Sequence, residues 1–221
     1  MELLDALRTT FAAREFTTDP VSDELVARIL DHARFAPSGG NRQGWRVIVV
    51  REQATKEALA DANIPAAKRY AAQQQAGESP WNTIVPTKLD AATIEATPVP
   101  ARLTESIRRA PVVLVLCVDL SVVASTDQYV KRVGVVSGAS IYPFAWNILL
   151  AARQEGLGGT ITTLGVAEEP RLKTLLGVPP AVAVCAVMPL GRPVKQLTRL
   201  KRKTVPEFAM RERWGGAPFG A

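Results

Sequence analysis

Apolar residues recur at helical spacing in the first third of the chain. One such face, which begins at Leu3, predicts a short packed helix over residues 2–12. Ser22 is a suitable N-cap for a second helix, whose apolar positions end before Pro37. A further helix is predicted from about Gln53 to Gln75.

Three apolar runs have the composition of β-strands. WRVIVVR, residues 45–51, is rich in β-branched side chains, and AVAVCAVMPLG, residues 181–191, is a second such run. APVVLVLCVDL, residues 110–120, is apolar at successive positions, so both of its faces should be covered. We therefore expect this strand at the centre of a sheet.

A longer apolar segment, residues 135–156, predicts a helix that is apolar nearly all round. Such a helix is buried on every side, either in the domain core or in a subunit interface. Pro143 inside it predicts a kink. A short helix should follow near residues 168–176.

Residues 76–105 contain four prolines and no sustained period, which is typical of a functional lid or a mobile insert. The strands and helices do not alternate strictly, so we expect an α+β sandwich rather than a doubly wound sheet. The whole chain, residues 1–221, is interpreted as one domain with a lid or insert at 64–105 and a C-terminal arm at 192–221.

Composition narrows the class of protein. Of the 221 residues, 47% are apolar and 22% are charged, which is ordinary for a globular protein. No apolar run is long enough to cross a membrane, and the N-terminus lacks the apolar core of a secretion signal. Cys117 and Cys185 are the two cysteines, each in an apolar run that predicts an inert buried thiol. We expect a cytoplasmic protein without a membrane partner.

The net charge of +6 is concentrated in the arm, where eight basic and two acidic residues lie between Arg192 and Trp214. Such a patch could bind nucleic acid, a membrane surface or a phosphate group, or it could be a solvated tail. It lacks interleaved aromatic residues and any known reading module, so we expect no nucleic-acid partner.

Several catalytic classes are excluded by residue type. His32 is the only histidine and lies beside core positions, which favours a structural role over a hydrolase triad. No spacing of histidines or cysteines matches a zinc site, so no metal is expected. The glycines at 156–159 follow a helix instead of a strand, which is the wrong order for a dinucleotide fingerprint.

Few proton-transfer groups remain, but several loops suit a ligand, as in enzymes whose cofactor carries the reaction. No side chain is assigned a catalytic proton transfer. The turn at residues 37–43 could contact a heteroaromatic ring, and Arg14 with the cations of the arm could neutralise a phosphate. The TITT loop at 160–163 could offer backbone N–H groups to such a ring.

Four stretches carry a family resemblance in the same order along the chain. TTFAAREFTTDPV (9–21) is similar to RRSxRxF followed by Pro-Val, and APSGGNRQGW (36–45) is similar to APSxxNxQPW. NILLAARQEGLGGTITTL (147–164) is similar to NLLLAAxxxGLGxxxTT, and LKRKTVPEF (200–208) to KRKPLEE. The chain thus resembles the FMN-dependent nitroreductase superfamily, and in some details its iodotyrosine deiodinase branch.

The resemblance implies a three-layer sandwich with a mixed, mostly antiparallel sheet flanked by helices. It also implies an intertwined homodimer with an extended C-terminal arm and FMN sites in the interface. The implied cofactor-binding residues are Arg14 near the phosphate or ribityl chain, Ser38, Gly39 and Asn41 in a turn donated across the interface, Ile161, Thr162 and Thr163 along the ring, and Arg202 on the phosphate with Lys201 and Lys203 as alternatives.

The chain also departs from the family pattern. Thr10, Phe11 and Ala12 stand where the family has Arg-Arg-Ser, so one phosphate cation and one hydroxyl are missing. Arg8 could substitute for the cation, or the arm could do more of the binding. Gly44 replaces a proline before Trp45. The lid shows no residues that would clamp an amino-acid zwitterion, which argues against deiodination.

The function implied is an FMN-dependent oxidoreductase in which NAD(P)H and a small electron-poor aromatic acceptor, a nitroaromatic or a quinone, react in turn. Tyr70, Trp81 and Ile84 are the lid residues expected beside that acceptor. The alternative is a non-catalytic flavin-binding protein that serves as a store or a sensor.

Overall fold

The computed structural model describes residues 1–220 and contains eight α-helices and four β-strands. In chain order these are α1 Leu3–Thr9, α2 Asp23–Ala33, β1 Trp45–Val50, α3 Gln53–Ala62, α4 Ile64–Gln75, α5 Ala91–Ala96, α6 Glu105–Arg109, β2 Val112–Asp119, α7 Tyr142–Gln154, β3 Gly158–Gly159, α8 Glu169–Leu176 and β4 Val182–Gly191.

The strands form one sheet in the order β1-β2-β4-β3, and every neighbouring pair is antiparallel. The expected central strand is confirmed, because β2 pairs with both β1 and β4 and its residues Val112–Val118 are buried. A single parallel bridge, Ala12 to Gly159, brings the N-terminal segment to the β3 edge. The prediction of a mostly antiparallel sheet therefore holds.

Helices cover both faces of this sheet, which confirms the α+β class. Alternate residues of β2 point in opposite directions. Leu114 and Leu116 belong to a core cluster with residues of α2 and α7. Val113 and Val115 belong to a second cluster with residues of α3, α6 and α8. The result is three layers, with the sheet in the middle.

Two helix predictions need correction. The helix expected over residues 53–75 is two helices that meet at Asn63, because Pro65 lies in the first turn of α4 and cannot donate to the preceding turn. Pro143 likewise lies in the first turn of α7, where no N–H donor is needed, so it begins that helix and does not kink it.

The expected packing of two helices, α1 and the apolar helix expected in the core or in a subunit interface, is only partly made within the single chain. In α1 only Ala6 is buried, whereas Leu3 is 67% exposed and Leu4 is 59% exposed. In α7 one face packs on the sheet, but Tyr142 and Trp146 are 43% and 38% exposed. The two helices therefore carry apolar side chains that the rest of this chain does not cover.

The segment after α4 is organised by the Glu78 carboxylate. It accepts hydrogen bonds from Gln73 Nε2 at 3.1 Å, Thr87 Oγ1 at 2.6 Å and the Lys88 N–H at 2.8 Å. These bonds lower the pKa of Glu78, the one from Thr87 most. Asp90 then caps α5 by accepting from the Thr93 N–H at 2.7 Å. The proline-rich insert thus has a defined internal framework.

The C-terminal arm begins alongside the N-terminal segment. The Val194 N–H donates to Glu15 O at 3.1 Å, and Phe16 and Pro193 form an antiparallel bridge. Gln196 Nε2 donates to Thr9 O at 3.1 Å. The start of the arm is therefore tied to the segment that carries Arg14.

The Asp127 carboxylate stabilises a loop through the hydrogen bonds that it accepts. Because these bonds require the ionised form, we expect the stability of the fold to depend on pH. Asp127 is 5% exposed and accepts from the Val135 N–H and Arg132 at 2.8 and 2.6 Å, and these bonds lower its pKa far below the ordinary value. Because the folded pKa is lower than the unfolded one, the stabilisation is complete above about pH 4 and is lost as pH falls toward the folded pKa. Denaturation midpoints should show Asp127→Asn less stable than wild type at pH 6, with the gap shrinking at pH 2.

An exposed carboxylate provides the control for this experiment. Asp31→Asn removes a side chain that is 60% exposed, and we expect it to leave the denaturation midpoint nearly unchanged at both pH values. A gap between Asp127→Asn and wild type that is the same at pH 6 and pH 2 would show that the lost contact does not depend on ionisation.

Candidate functional site

Two neighbouring cavities lie where the N-terminal segment, α4 and the insert meet. The first, of about 410 Å³, is called the arginine cavity and is lined by residues that include Arg14, Arg102 and Arg109. The second, of about 430 Å³, is called the aromatic cavity and is lined by Tyr70, Trp81, Thr163 and apolar neighbours. Predicted site residues line both.

Arg14 reaches the arginine cavity because its backbone is fixed to the sheet edge. The Ala13 N–H donates to Gly159 O at 2.9 Å, and Arg14 NH1 donates to Ala12 O at 3.3 Å. Burial lowers the pKa of Arg14, and the positive charge of Arg102 lowers it further, whereas Tyr70 opposes the change. Arg14 therefore lines the arginine cavity, and its pKa responds to Tyr70 of the aromatic cavity.

A chain of hydrogen bonds joins the cavities. Gln74 Nε2 donates to Tyr70 Oη at 3.5 Å, and Arg102 NH2 donates to Gln74 Oε1 at 3.4 Å. Tyr70 belongs to the aromatic cavity and Arg102 to the arginine cavity. A ligand with an aromatic ring and an anionic end could therefore contact both.

Trp81 is held as a wall of the aromatic cavity. Its backbone N–H donates to Gln73 Oε1 at 3.0 Å, and its Nε1 donates to Ala66 O at 3.4 Å. The Arg69 guanidinium lies 4.5 Å from the ring centroid, close enough for a cation–π contact. Ile84, the third residue expected in the lid, is 82% exposed and does not line this cavity.

The TITT loop contributes one residue to the aromatic cavity, Thr163. The Thr162 N–H donates to Val187 O at 3.0 Å, so this group is engaged in the sheet and is not offered to a ligand. Ile161 packs against the core cluster. The loop is expected to offer backbone N–H groups to a ring, and the Thr162 N–H is not one of those available.

The Ser38–Gln43 turn is built by its own hydrogen bonds. Ser38 Oγ accepts from the Gln43 N–H at 2.9 Å, and the Gly39 N–H donates to Ser140 Oγ at 3.2 Å. Asn41 adopts a φ of 53° and Gly40 one of 61°. Within residues 1–220 the turn contacts the segment around Ser140 and lines neither of the two cavities. One chain does not bring Ser38, Gly39 and Asn41 to Arg14.

The basic residues of the arm are exposed. Lys201, Arg202 and Lys203 line neither cavity, and Arg202 NH1 donates only to the neighbouring Lys201 O at 2.8 Å within the described chain. The expected phosphate contact of the arm is thus not made within a single chain.

The remaining reactive groups lie outside the cavities. Cys117 is buried and burial raises its pKa to about 11; Cys185 is half-buried and burial raises its pKa to about 12, so both thiols are inert. His32 is exposed in the last turn of α2, which corrects the expectation of a packed histidine. No group of three potential metal ligands, and no helix long and apolar enough to cross a membrane, occurs in residues 1–220.

Sequence reasoning missed three residues of this region: Gln74, Arg102 and Ser106. Arg102 and Ser106 lie in or just after the proline-rich insert, where no periodicity indicates which side chains face inward. The concentration of arginines at 102, 108 and 109 is the one signal that could have marked the segment.

Several known proteins are similar to this chain in sequence or in fold. A nitrobenzene nitroreductase of Ectopseudomonas oleovorans is 29% identical over 208 residues, 85% of each chain. An NADH dehydrogenase of Thermus thermophilus is 30% identical over 183 residues, 83% of this chain and 82% of that protein. The crystal structure of an iodotyrosine deiodinase bound to FMN and 3-iodo-L-tyrosine aligns over 96% of this chain and all of that one, with a TM-score of 0.68 at 19% identity. The profile named "Nitroreductase family" matches residues 7–192, and the chain therefore belongs to the nitroreductase family of oxidoreductase enzymes.

Proposed function

We propose that this protein binds FMN and uses NAD(P)H to reduce small electron-poor acceptors, nitroaromatics or quinones, in two alternating half-reactions. The observation that carries the proposal is the junction of the arginine and aromatic cavities through Tyr70, Gln74 and Arg102. Arginines suit an anionic phosphate, and an aromatic wall suits a planar ring, so the residues present fit an FMN-sized ligand.

When bound, FMN would supply the two-electron redox chemistry. The chain's own part is positioning. Arg14 lines the arginine cavity, where its charge can stabilise negative charge on a ligand. Thr163 and Tyr70 line the aromatic cavity from two separate segments and limit where a ring can lie.

Trp81 is proposed to define the acceptor side of the aromatic cavity. The Nε1 hydrogen bond to Ala66 O and the contact with Arg69 orient the indole, and the bond from the backbone N–H to Gln73 fixes the main chain. A rigid aromatic wall favours flat acceptors, because these stack on it with little loss of side-chain freedom. No His, Asp, Glu or Lys is among the residues that line this cavity, so protons for the acceptor would come from water.

A second copy of the chain is proposed to complete the site. The Ser38–Gln43 turn and residues 201–203 do not line the cavities of their own chain, and α1 and α7 expose apolar side chains. A homodimer would cover those side chains and could bring the turn and the arm to the partner's cavities. This assembly, like a cytoplasmic location, follows from the resemblance and the proposed function.

The absorption spectrum of the purified protein tests the proposal. We expect the visible bands of an oxidised flavin, release of FMN on denaturation, and a mass twice that of one chain in solution. Anaerobic NAD(P)H should bleach the bands within one mixing time, and a quinone or nitroaromatic should restore them.

Two results would contradict the proposal in different ways. A folded protein that stays colourless after incubation with FMN would exclude the cofactor. A yellow protein that NAD(P)H does not bleach would indicate a flavin store or sensor and not an enzyme.

A further inference from the structure

Arg14 and Arg102 share the arginine cavity without a counter-charge of their own. Within residues 1–220 neither forms an ion pair with a carboxylate. Their hydrogen bonds are long and go to neutral oxygens, Ala12 O at 3.3 Å and Gln74 Oε1 at 3.4 Å. Both guanidinium groups therefore keep donors available for a ligand.

The charges of Arg14 and Arg102 act on each other within the arginine cavity. Burial lowers the pKa of Arg14 and the charge of Arg102 adds to this effect, which means that the two positive groups repel each other. An oxyanion between them would replace that repulsion with two charge-assisted hydrogen bonds.

Ser106 adds a neutral polar residue to the same cavity. This residue of α6 is 4% exposed and lines the cavity. A hydroxyl in a cavity that also holds two arginines is a suitable donor to an oxyanion.

Glu15 and Glu105 both line the cavity, but they differ in whether a basic residue pairs with the carboxylate. Glu105 accepts from Arg109 at 2.9 Å and pairs with Arg108 at 3.3 Å, so its charge is already balanced. Glu15 has no such partner within residues 1–220 and would repel an oxyanion. Three arginines against two glutamates leave the lining with a net positive charge.

We propose that Arg102 and Ser106, together with Arg14, bind the terminal phosphate of FMN. This inference rests on the proposed function. The family pattern places an arginine and a serine where Thr10 and Ala12 stand in this chain. Arg102 and Ser106 supply the same two kinds of group from the end of the insert. Arg8, the substitute suggested by the sequence, does not line the cavity.

The test compares the affinities of FMN and riboflavin, which lacks the phosphate, by flavin fluorescence titration of the apoprotein. Arg102→Gln should weaken FMN binding about tenfold and leave riboflavin binding within about twofold. Ser106→Ala should act in the same direction with a smaller effect. Glu15→Gln should strengthen FMN binding alone, because it removes a repulsive charge. Arg171→Gln, at an exposed arginine of α8, is the matched control and should change neither affinity.

Three results would overturn the inference. If Arg102→Gln weakens FMN and riboflavin equally, Arg102 acts through the ring or the fold. If it changes neither, the phosphate lies elsewhere. If it leaves FMN binding unchanged but raises the KM for 4-nitrobenzoate relative to nitrobenzene, the arginines serve an acid group of the acceptor. A wild-type protein that binds neither flavin would instead overturn the proposed function, and this inference with it.

Discussion

Gly159→Ala is expected to lower the free energy of unfolding by about 3 kcal/mol. Gly159 lies in β3, and an added Cβ would be 2.6 Å from the backbone Pro189 O and would clash with the Leu190 side chain. A backbone oxygen in a sheet cannot move aside without breaking the β3–β4 pairing. The same residue accepts the Ala13 N–H, so the shift would also displace Arg14. Chemical denaturation measures the loss.

Gly134→Ala is the matched control for this substitution. A Cβ at position 134 would have Asp127 Oδ1 as its nearest neighbour, at 3.8 Å, which is an ordinary contact. Its free energy of unfolding should stay within about 0.5 kcal/mol of wild type. A loss at Gly134 as large as that at Gly159 would show that crowding at β3 is not the cause, because an effect on the unfolded chain alone would stabilise the protein.

Trp45→Ala should also destabilise the fold by about 3 kcal/mol. The Trp45 ring packs parallel to Phe144, with centroids 4.9 Å apart and an interplanar angle of 2°. The contact joins β1 to α7 directly after the Ser38–Gln43 turn. Its loss removes apolar burial and an aromatic stack worth about 1 kcal/mol, and it frees the end of the turn. The denaturation midpoint and the proteolysis rate near residue 40 should both report the change.

Trp214→Ala provides the control, because Trp214 is 93% exposed and its removal should have little effect on stability. A double-mutant cycle with Phe144→Leu would isolate the stacking energy. A coupling energy near zero would attribute the loss at Trp45 to burial alone and would remove the stack from the explanation.

The strands were predictable because their apolar runs are dense and β-branched. Val112–Val118 is apolar at every position, and only a central strand between two helical layers can bury both faces of such a run. The Ser22 cap was equally readable, since its Oγ accepts from the Leu25 N–H at 3.2 Å. The cap depends only on residues three positions apart, and the strand is marked by an unbroken apolar run, so both can be predicted from sequence.

The two prolines were harder to interpret from sequence. Pro65 and Pro143 both occur inside longer helical patterns, and both lie in the first turn of a helix, α4 and α7. A proline is tolerated in a first turn and disruptive in the middle of a helix, and the apolar pattern alone does not locate that first turn. The contacts of the flanking residues determine it.

The candidate site likewise combines features that the sequence could indicate with others that depend on tertiary contacts. The sequence alone indicated Arg14, the Ser38–Gln43 turn, residues 160–163 and the basic arm, because each is a local motif. It could not indicate that Tyr70 and Thr163 share one cavity while Arg14 lines another and the turn and residues 201–203 line neither. It also could not indicate that the Thr162 N–H is bonded to Val187 O. By itself the sequence determined the elements, the sheet centre and the kinds of ligand group that are available. Only the tertiary structure decided which groups share a cavity, because that depends on how distant segments pack and not on the spacing within any one of them.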